Sequence, residues 1–234
     1  MKQHIQAHPE DVARFFADWT LKLIQPGKAF HWALSGGSTP RLLFALLAHE
    51  YAGRFPWPDI HFWWGDERCV PPDHADSNYR MTAELLLRQV PIPSQNIHRV
   101  RGENPPKEEA ARYAREIAQF VPSYQKWPVF DLVMLGMGAD GHTASIFPHE
   151  MNLLQSKRIC EVATHPSSGQ KRITLTGKVL NQASKKAFLV TGADKTAKVN
   201  EIFTGQEIAR SYPASHVQGA EWFLDQAAVG SRSA

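Results

Sequence analysis

FDLVMLGMGADGHTASIFP, residues 130–148, decides how the rest of the chain is read. Its first six residues are an apolar run interrupted only by Asp131 and closed by Gly136. That length suits a strand buried on both faces, as in a parallel sheet. Glycines follow at 136, 138 and 141, where the chain turns sharply and a ligand can approach the backbone. Asp140 and His142 place a carboxylate and an imidazole on this turn, and the small residues Thr143, Ala144 and Ser145 suit the opening of a helix. Open α/β sheets bind ligands beyond the carboxyl ends of their strands. The turn is therefore a candidate for chemistry. The same residues also fit an ordinary tight turn beside a surface histidine, and two other loops supply the context.

The first of these follows an expected strand at residues 29–34. It reads Ser35-Gly36-Gly37-Ser38-Thr39-Pro40 and leads into an expected helix at 41–49, with Leu42, Leu43, Leu46 and Leu47 facing inward. Ser38 or Thr39 suits the cap and Pro40 the first helical position. A glycine-rich turn before a helix points free backbone N–H groups at an anion, and paired glycines are unnecessary for capping alone. A phosphate site is favoured over a capped turn with no ligand, with the hydroxyls of Ser38 and Thr39 adding donors to the N–H groups of the loop. Neither a P-loop nor a dinucleotide fingerprint is present. The second loop follows a strand at 60–64, on which Trp63 and Trp64 point to opposite sides. It carries Asp66, Glu67 and Arg68. Arginine there holds a phosphate, polarises a carbonyl, or pairs with an aspartate at the surface. Asp73, His74 and Asp76 match no metal-ligand spacing, so no metal is expected.

Elsewhere, helices are expected at 9–25, 78–89, 107–120 and 196–203, with a helical turn at 179–184. The first carries the stripe Val12, Phe15, Phe16, Trp19, Leu23; the second turns Met81, Leu85 and Leu86 inward. Strands are expected at 97–100, 159–164, 172–176, 186–191 and 221–225, a turn at 212–216, and a frayed tail at 230–234. No repeat or linker interrupts the chain, so residues 1–234 form one domain. Alternating strands and helices argue for an α/β fold with a mainly parallel sheet.

Composition narrows the partners. Apolar residues make up 43% of 234 residues, enough for a large core and against disorder. The net charge of +3 suits an anionic small substrate and is too dispersed for nucleic acid. Cys69 and Cys160 give no disulfide framework or zinc motif, which points to a reducing setting. The N-terminus lacks a signal-peptide core, and no apolar run approaches the ~20 residues of a membrane span. A soluble, cytoplasmic protein is expected.

Six stretches taken together resemble the 6-phosphogluconolactonase family: SGGSTP at 35–40, DERCV at 66–70 with Asp76-Ser77-Asn78, GMGADGHTASIFP at 136–148, Arg172-Ile173-Thr174, GADK at 192–195 and YPAS at 212–215. They lie in order from about residue 29 to about 225. The related glucosamine-6-phosphate deaminases share the first loop and the G-x-D-G-H turn, but continue roughly I-A-F-N-E-P. Phe147 stands here where they carry an acidic residue. The resemblance implies a Rossmann-like sheet flanked by helices, with no dinucleotide site, metal or cofactor. It also implies hydrolysis of 6-phospho-D-glucono-1,5-lactone to 6-phospho-D-gluconate, the second step of the oxidative pentose phosphate pathway. A lactone is an activated ester, so a base for water and positive charge for the oxyanion suffice. His142 is the expected base, since an unperturbed imidazole titrates near ~6.5. Asp140 orients it or holds sugar hydroxyls. The first loop, helped by Thr39, Arg68, Arg172 and Lys195, takes the phosphate; Arg68 serves the lactone carbonyl as the alternative. His216 departs from the smaller or apolar residue common after P-A-S. The competing functions are an aminosugar-phosphate deaminase and a non-catalytic sugar-phosphate sensor. A sensor could lose Asp140 or His142 freely, and both are present.

Overall fold

The computed structural model describes residues 1–230; the rest of the tail expected to fray lies outside the described residues. The chain opens with β1 (Lys2–Gln6), a strand that the sequence reading left out, and enters α1 (Pro9–Leu21). Pro9 takes a first-turn position with Glu10 and Asp11 beside it, where the helix dipole favours acidic groups. The helix stops short of residue 25 because the Leu23 N–H bonds back to the Thr20 carbonyl, tightening the last turn. Val12 and Phe16 are fully buried, whereas Phe15 stays partly exposed. Next come β2 (Phe30–Leu34), α2 (Ser38–Glu50), β3 (Ile60–Trp64), β4 (Asp66–Arg68) and α3 (Asn78–Thr82). On α2, Leu43 and Leu47 are buried while Leu42 is 37% exposed, so the inward stripe is narrower than expected. The expected helix at 78–89 continues past α3 as a π turn, with the Arg88 N–H on the Ala83 carbonyl. Leu86 is buried there; Met81 and Leu85 are only partly so. Residues 97–100 form no strand, only an isolated bridge between Ile97 and Phe62.

The second half contains α4 (Pro106–Phe120), the small hairpin β5 (Ser123–Tyr124) and β6 (Trp127–Pro128), then β7 (Leu132–Leu135), β8 (Cys160–Thr164) and β9 (Lys171–Leu175). It closes with α5 (Gly177–Gln182), β10 (Lys185–Val190), α6 (Thr196–Phe203), β11 (Glu221–Asp225) and α7 (Gln226–Val229).

Six strands pair in the order β1-β11-β10-β7-β2-β3, every pair parallel. Every residue of β2 and of β7 is buried, which explains why their runs are apolar but for His31. From β2 the chain moves outward to β3; it then returns to β7 on the other side of β2 and proceeds to β10 and β11. The crevice between the carboxyl ends of β2 and β7 is thus a topological switch point, the usual ligand position in such sheets. The loops at residues 35–37 and 136–142 both leave from it.

A second, antiparallel sheet, β4-β9-β8, is attached at this end. Gly65 makes the join: its N–H donates to the Leu34 carbonyl and its own carbonyl accepts the Leu175 N–H, each at 2.8 Å. Residues 66–68, expected as a loop, are therefore a strand whose register sets Arg68 opposite Arg172 and Asp66 opposite Thr174. Two arginines distant in sequence become cross-strand neighbours.

Candidate active site

The turn after β7 is held by its own backbone. The Gly138 N–H donates to the His142 carbonyl at 2.9 Å, and the Gly141 N–H to the Gly138 carbonyl at 3.0 Å. Asp140 Oδ1 accepts the backbone N–H of His142 at 3.1 Å and lies 2.5 Å from its Nδ1. An acceptor on Nδ1 assigns the ring proton to that nitrogen and leaves Nε2 unprotonated. Burial raises the Asp140 pKa, but the hydrogen bonds and charge of His142 more than offset it and bring the carboxyl down to about 2. Gly138 is required: a methyl group there would sit 2.1 Å from His142 Nδ1. The residues after the pair do not open a helix. Ala144 takes a positive φ of 48°, sparsely populated for an L-residue, in a tight turn bridging Thr143 and Ile146. That turn drives Ser145 and Phe147 inward, and both are fully buried.

At the end of β2, Gly37 rather than Ser38 or Thr39 is the N-cap of α2, with φ at 115°. Pro40 accordingly stands third in the helix, not first. No side chain caps this end, so the first N–H groups of α2 lack the partner a Ser or Asp cap would supply. Thr39 is buried, its hydroxyl 2.8 Å from that of Thr191 in the loop after β10. Gly36 packs on Asn78; a methyl group there would come within 1.9 Å of Asn78 Oδ1. Asn78 is anchored by Glu67, which accepts backbone N–H groups from Arg68, Asn78 and Tyr79 and the Ser77 hydroxyl. Burial raises the Glu67 pKa against those hydrogen bonds.

Arg68 and Arg172 complete the wall. The Nε–H groups of both are buried and, among the described residues, unpartnered. Arg68 also donates to the Asp76 carbonyl. Arg172 lies 4.0 Å from Asp66 Oδ2 and above the Phe147 ring at 5.6 Å. Burial lowers its pKa, with the Asp66 charge opposing. Asp66 Oδ2 in turn accepts the Ser145 hydroxyl at 2.6 Å. Lys195 pairs with Asp194 at 2.9 Å. All nine residues singled out in the sequence line or flank one cleft: only Asp140 is absent from its wall, and it is bound to His142, which is part of it. The cleft encloses about 210 Å³. His216 stands elsewhere, its Nε2 on the Arg210 carbonyl. His74 Nδ1 accepts the Asp76 N–H, and no metal-ligand cluster of three or more His, Cys, Asp or Glu occurs among the described residues.

Asp66 and Asn78 line the cleft although nothing in the sequence gives either a role there, and Ser145, where the sequence suits a helix start, braces Asp66 from behind. Nothing local in the sequence signals that Ser145 reaches Asp66; β9 brings them together, since its Thr174 stands opposite Asp66 and its hydroxyl accepts the Ser145 N–H.

A parallel sheet that opens at its switch point onto an uncapped helix start and two arginines with buried, unpartnered Nε–H groups is the build of an α/β enzyme for phosphorylated small molecules. The chain belongs to the family of glucosamine-6-phosphate isomerases/6-phosphogluconolactonase, whose model matches residues 4–224. It is 46% identical over 204 residues to the 6-phosphogluconolactonase of Haemophilus influenzae, covering 85% of this chain and 86% of that protein. Among solved structures, the devB protein superposes with a TM-score of 0.92 at 44% identity, over 97% of each chain. The 6-phosphogluconolactonase from Trypanosoma brucei does so with a TM-score of 0.86 at 28% identity, again over 97% of each.

Proposed function

We propose that this chain hydrolyses 6-phospho-D-glucono-1,5-lactone to 6-phospho-D-gluconate, with His142 as the base that activates water. The observation that carries the mechanism is the Asp140–His142 pair, which leaves one ring nitrogen free in the cleft that also holds the uncapped start of α2. The 6-phosphate binds the N–H groups of Gly36, Gly37 and Ser38, with Thr39, Arg172 and Lys195 adding donors and charge. Arg68 faces the lactone carbonyl. As the water oxygen bonds to C1, His142 Nε2 takes its proton and the carbonyl becomes an oxyanion beside a guanidinium. Collapse breaks the bond from C1 to the ring oxygen, which receives the proton from Nε2. The new carboxylic acid releases its own proton to solvent. Asp140 stabilises the imidazolium and fixes its tautomer.

Phe147 supports a lactonase over a deaminase. Its ring lies 4.8 Å from that of His142, fully buried, where the deaminase pattern carries an acidic residue. Two free cysteines accord with a reducing cytoplasmic site of action, and among the described residues no helix is long and apolar enough to cross a membrane. The test is the rate of loss of the phosphorylated lactone near neutral pH, with the spontaneous reaction subtracted. Acceleration that is absent with unphosphorylated gluconolactone is expected. Folded protein that leaves the spontaneous rate unchanged, or releases ammonia from glucosamine 6-phosphate, overturns the reading.

A further inference from the structure

The catalytic turn is buttressed from behind by a residue that touches no part of the cleft. Gly141, between Asp140 and His142, has a φ of +83°, and a methyl group on it would come within 2.5 Å of Tyr212 Cγ. The Tyr212 side chain therefore packs, through Cβ, Cγ and Cδ1, directly against the backbone that links carboxylate to imidazole. The contact is reinforced two residues on, where the Ala214 N–H donates to the Gly141 carbonyl at 3.1 Å. Tyr212 is 5% exposed, and its hydroxyl is fixed by α6. It donates to Glu201 Oε2 at 2.6 Å and accepts from Lys198 Nζ at 2.7 Å, while Lys198 and Glu201 pair with each other at 3.1 Å. The Lys198 ammonium also sits 4.5 Å from the centre of the ring. Helix α6 begins immediately after Lys195, a cleft residue.

We propose that Tyr212 is a positioning residue for the reaction: its ring sets the place of the Asp140–His142 turn, and its hydroxyl ties that turn to α6. The inference rests on His142 being the base. The turn's own hydrogen bonds fix its internal shape, but with three glycines it has few side chains to fix its place against the rest of the fold, and Tyr212 packs where such a side chain would. Misplacing a catalytic group by ~1 Å costs about 10²-fold in rate while leaving substrate binding largely intact.

Tyr212→Phe keeps the ring and removes the tie to α6; Tyr212→Leu removes the flat ring. On the full chain, Tyr212→Phe is expected to lower kcat about threefold and Tyr212→Leu about tenfold or more, with KM within about twofold of the parent. A second readout is independent of turnover. The short Nδ1–H···Oδ1 bond of His142 gives a downfield imidazole proton in the NMR spectrum, assigned by its loss in His142→Ala. It broadens or disappears in Tyr212→Leu. The proposal is overturned if folded Tyr212→Leu keeps both kcat and the resonance. Where Tyr212→Leu fails to unfold cooperatively, Tyr212→Phe decides: unchanged kcat with an unchanged resonance overturns it. A parent that binds but does not turn over the lactone defeats the functional reading instead, and the resonance still reports on Tyr212.

Discussion

Two of the molecule's histidine–carboxylate pairs, His142 with Asp140 and His98 with Glu116, are built for opposite ends. His142 and Asp140 sit at the open crevice, 25% and 40% exposed in their side chains, 2.5 Å apart. His98 and Glu116 sit against the flank of β3, 3% and 24% exposed, 3.0 Å apart. Both nitrogens of His98 are used, Nδ1 by Glu116 and Nε2 by His61 Nδ1 at 3.1 Å. Its ring lies flat on Trp63 with centroids 3.9 Å apart. His142 Nε2 has no partner among the described residues. A histidine beside a carboxylate is thus not in itself a catalytic device. What separates the two is a spare nitrogen and a place at the carboxyl ends of the strands.

The largest effect expected is a double dissociation. His142→Ala should lower the catalysed rate about 10²–10⁴-fold with little change in Tm. His98→Ala should leave kcat and KM alone and cost about 2–4 kcal/mol, since it empties a buried stack and strands the partners of both nitrogens. Steady-state kinetics and thermal unfolding on the two variants check it. A His98→Ala enzyme with lost turnover and intact stability would erase the distinction. Arg172→Ala sharpens it from the substrate side: KM for the phosphorylated lactone should rise about 10–100-fold with a smaller change in kcat, the loss of one charge-assisted contact. Asp140 adds a pH test. Its carboxyl, at about 2, stays ionised far below neutrality. Any loss of rate between pH 7 and 5 therefore belongs to a group other than Asp140, and Asp140→Asn should lower kcat without being the source of that loss.

How much of this was legible follows from how local each signal is. The strand at 60–64, α6 and β11 were read to the residue, since apolar alternation and flanking glycines are written in the elements themselves. The glycine turns were legible for the same reason. β1 was missed because His4 and Gln6 give it no apolar run; it is a strand only because β11 offers it an edge. β4 is three polar residues, and nothing before Lys171–Leu175 announces its partner. Hence the arginines were nameable one by one, but not their adjacency, nor the Ser145–Asp66 contact. The cap of α2 falls on Gly37, whose φ of 115° favours glycine, so Ser38 and Thr39 lie inside the first turn and leave its N–H groups without a side-chain cap.

The smallest effect separates the two histidine regions by acid alone. His31 is buried beside the His98 stack, its Nδ1 accepting the Trp63 indole N–H at 3.2 Å. Burial first, then the nearby His61 and His98, lower its pKa to about 4 from the ordinary 6.5. Between those values the unfolded chain binds the extra proton, so the contribution of His31 is complete above pH 6.5 and is lost as pH falls toward 4. His61, lowered chiefly by burial, acts in the same direction. Asp131, which accepts the His31 backbone N–H, is raised by burial and acts in the opposite sense at the acid end. The parent's Tm should therefore decline through this window. His31→Gln, whose amide oxygen can still accept from Trp63, should decline less steeply, with His61 accounting for what remains. His142→Ala leaves the buried His31 and His61 in place, so its Tm should still decline through that window. A His31→Gln curve that superimposes on the parent's would mean the stacked histidines take up protons without unfolding cost, and the contrast with the crevice would then be one of access alone.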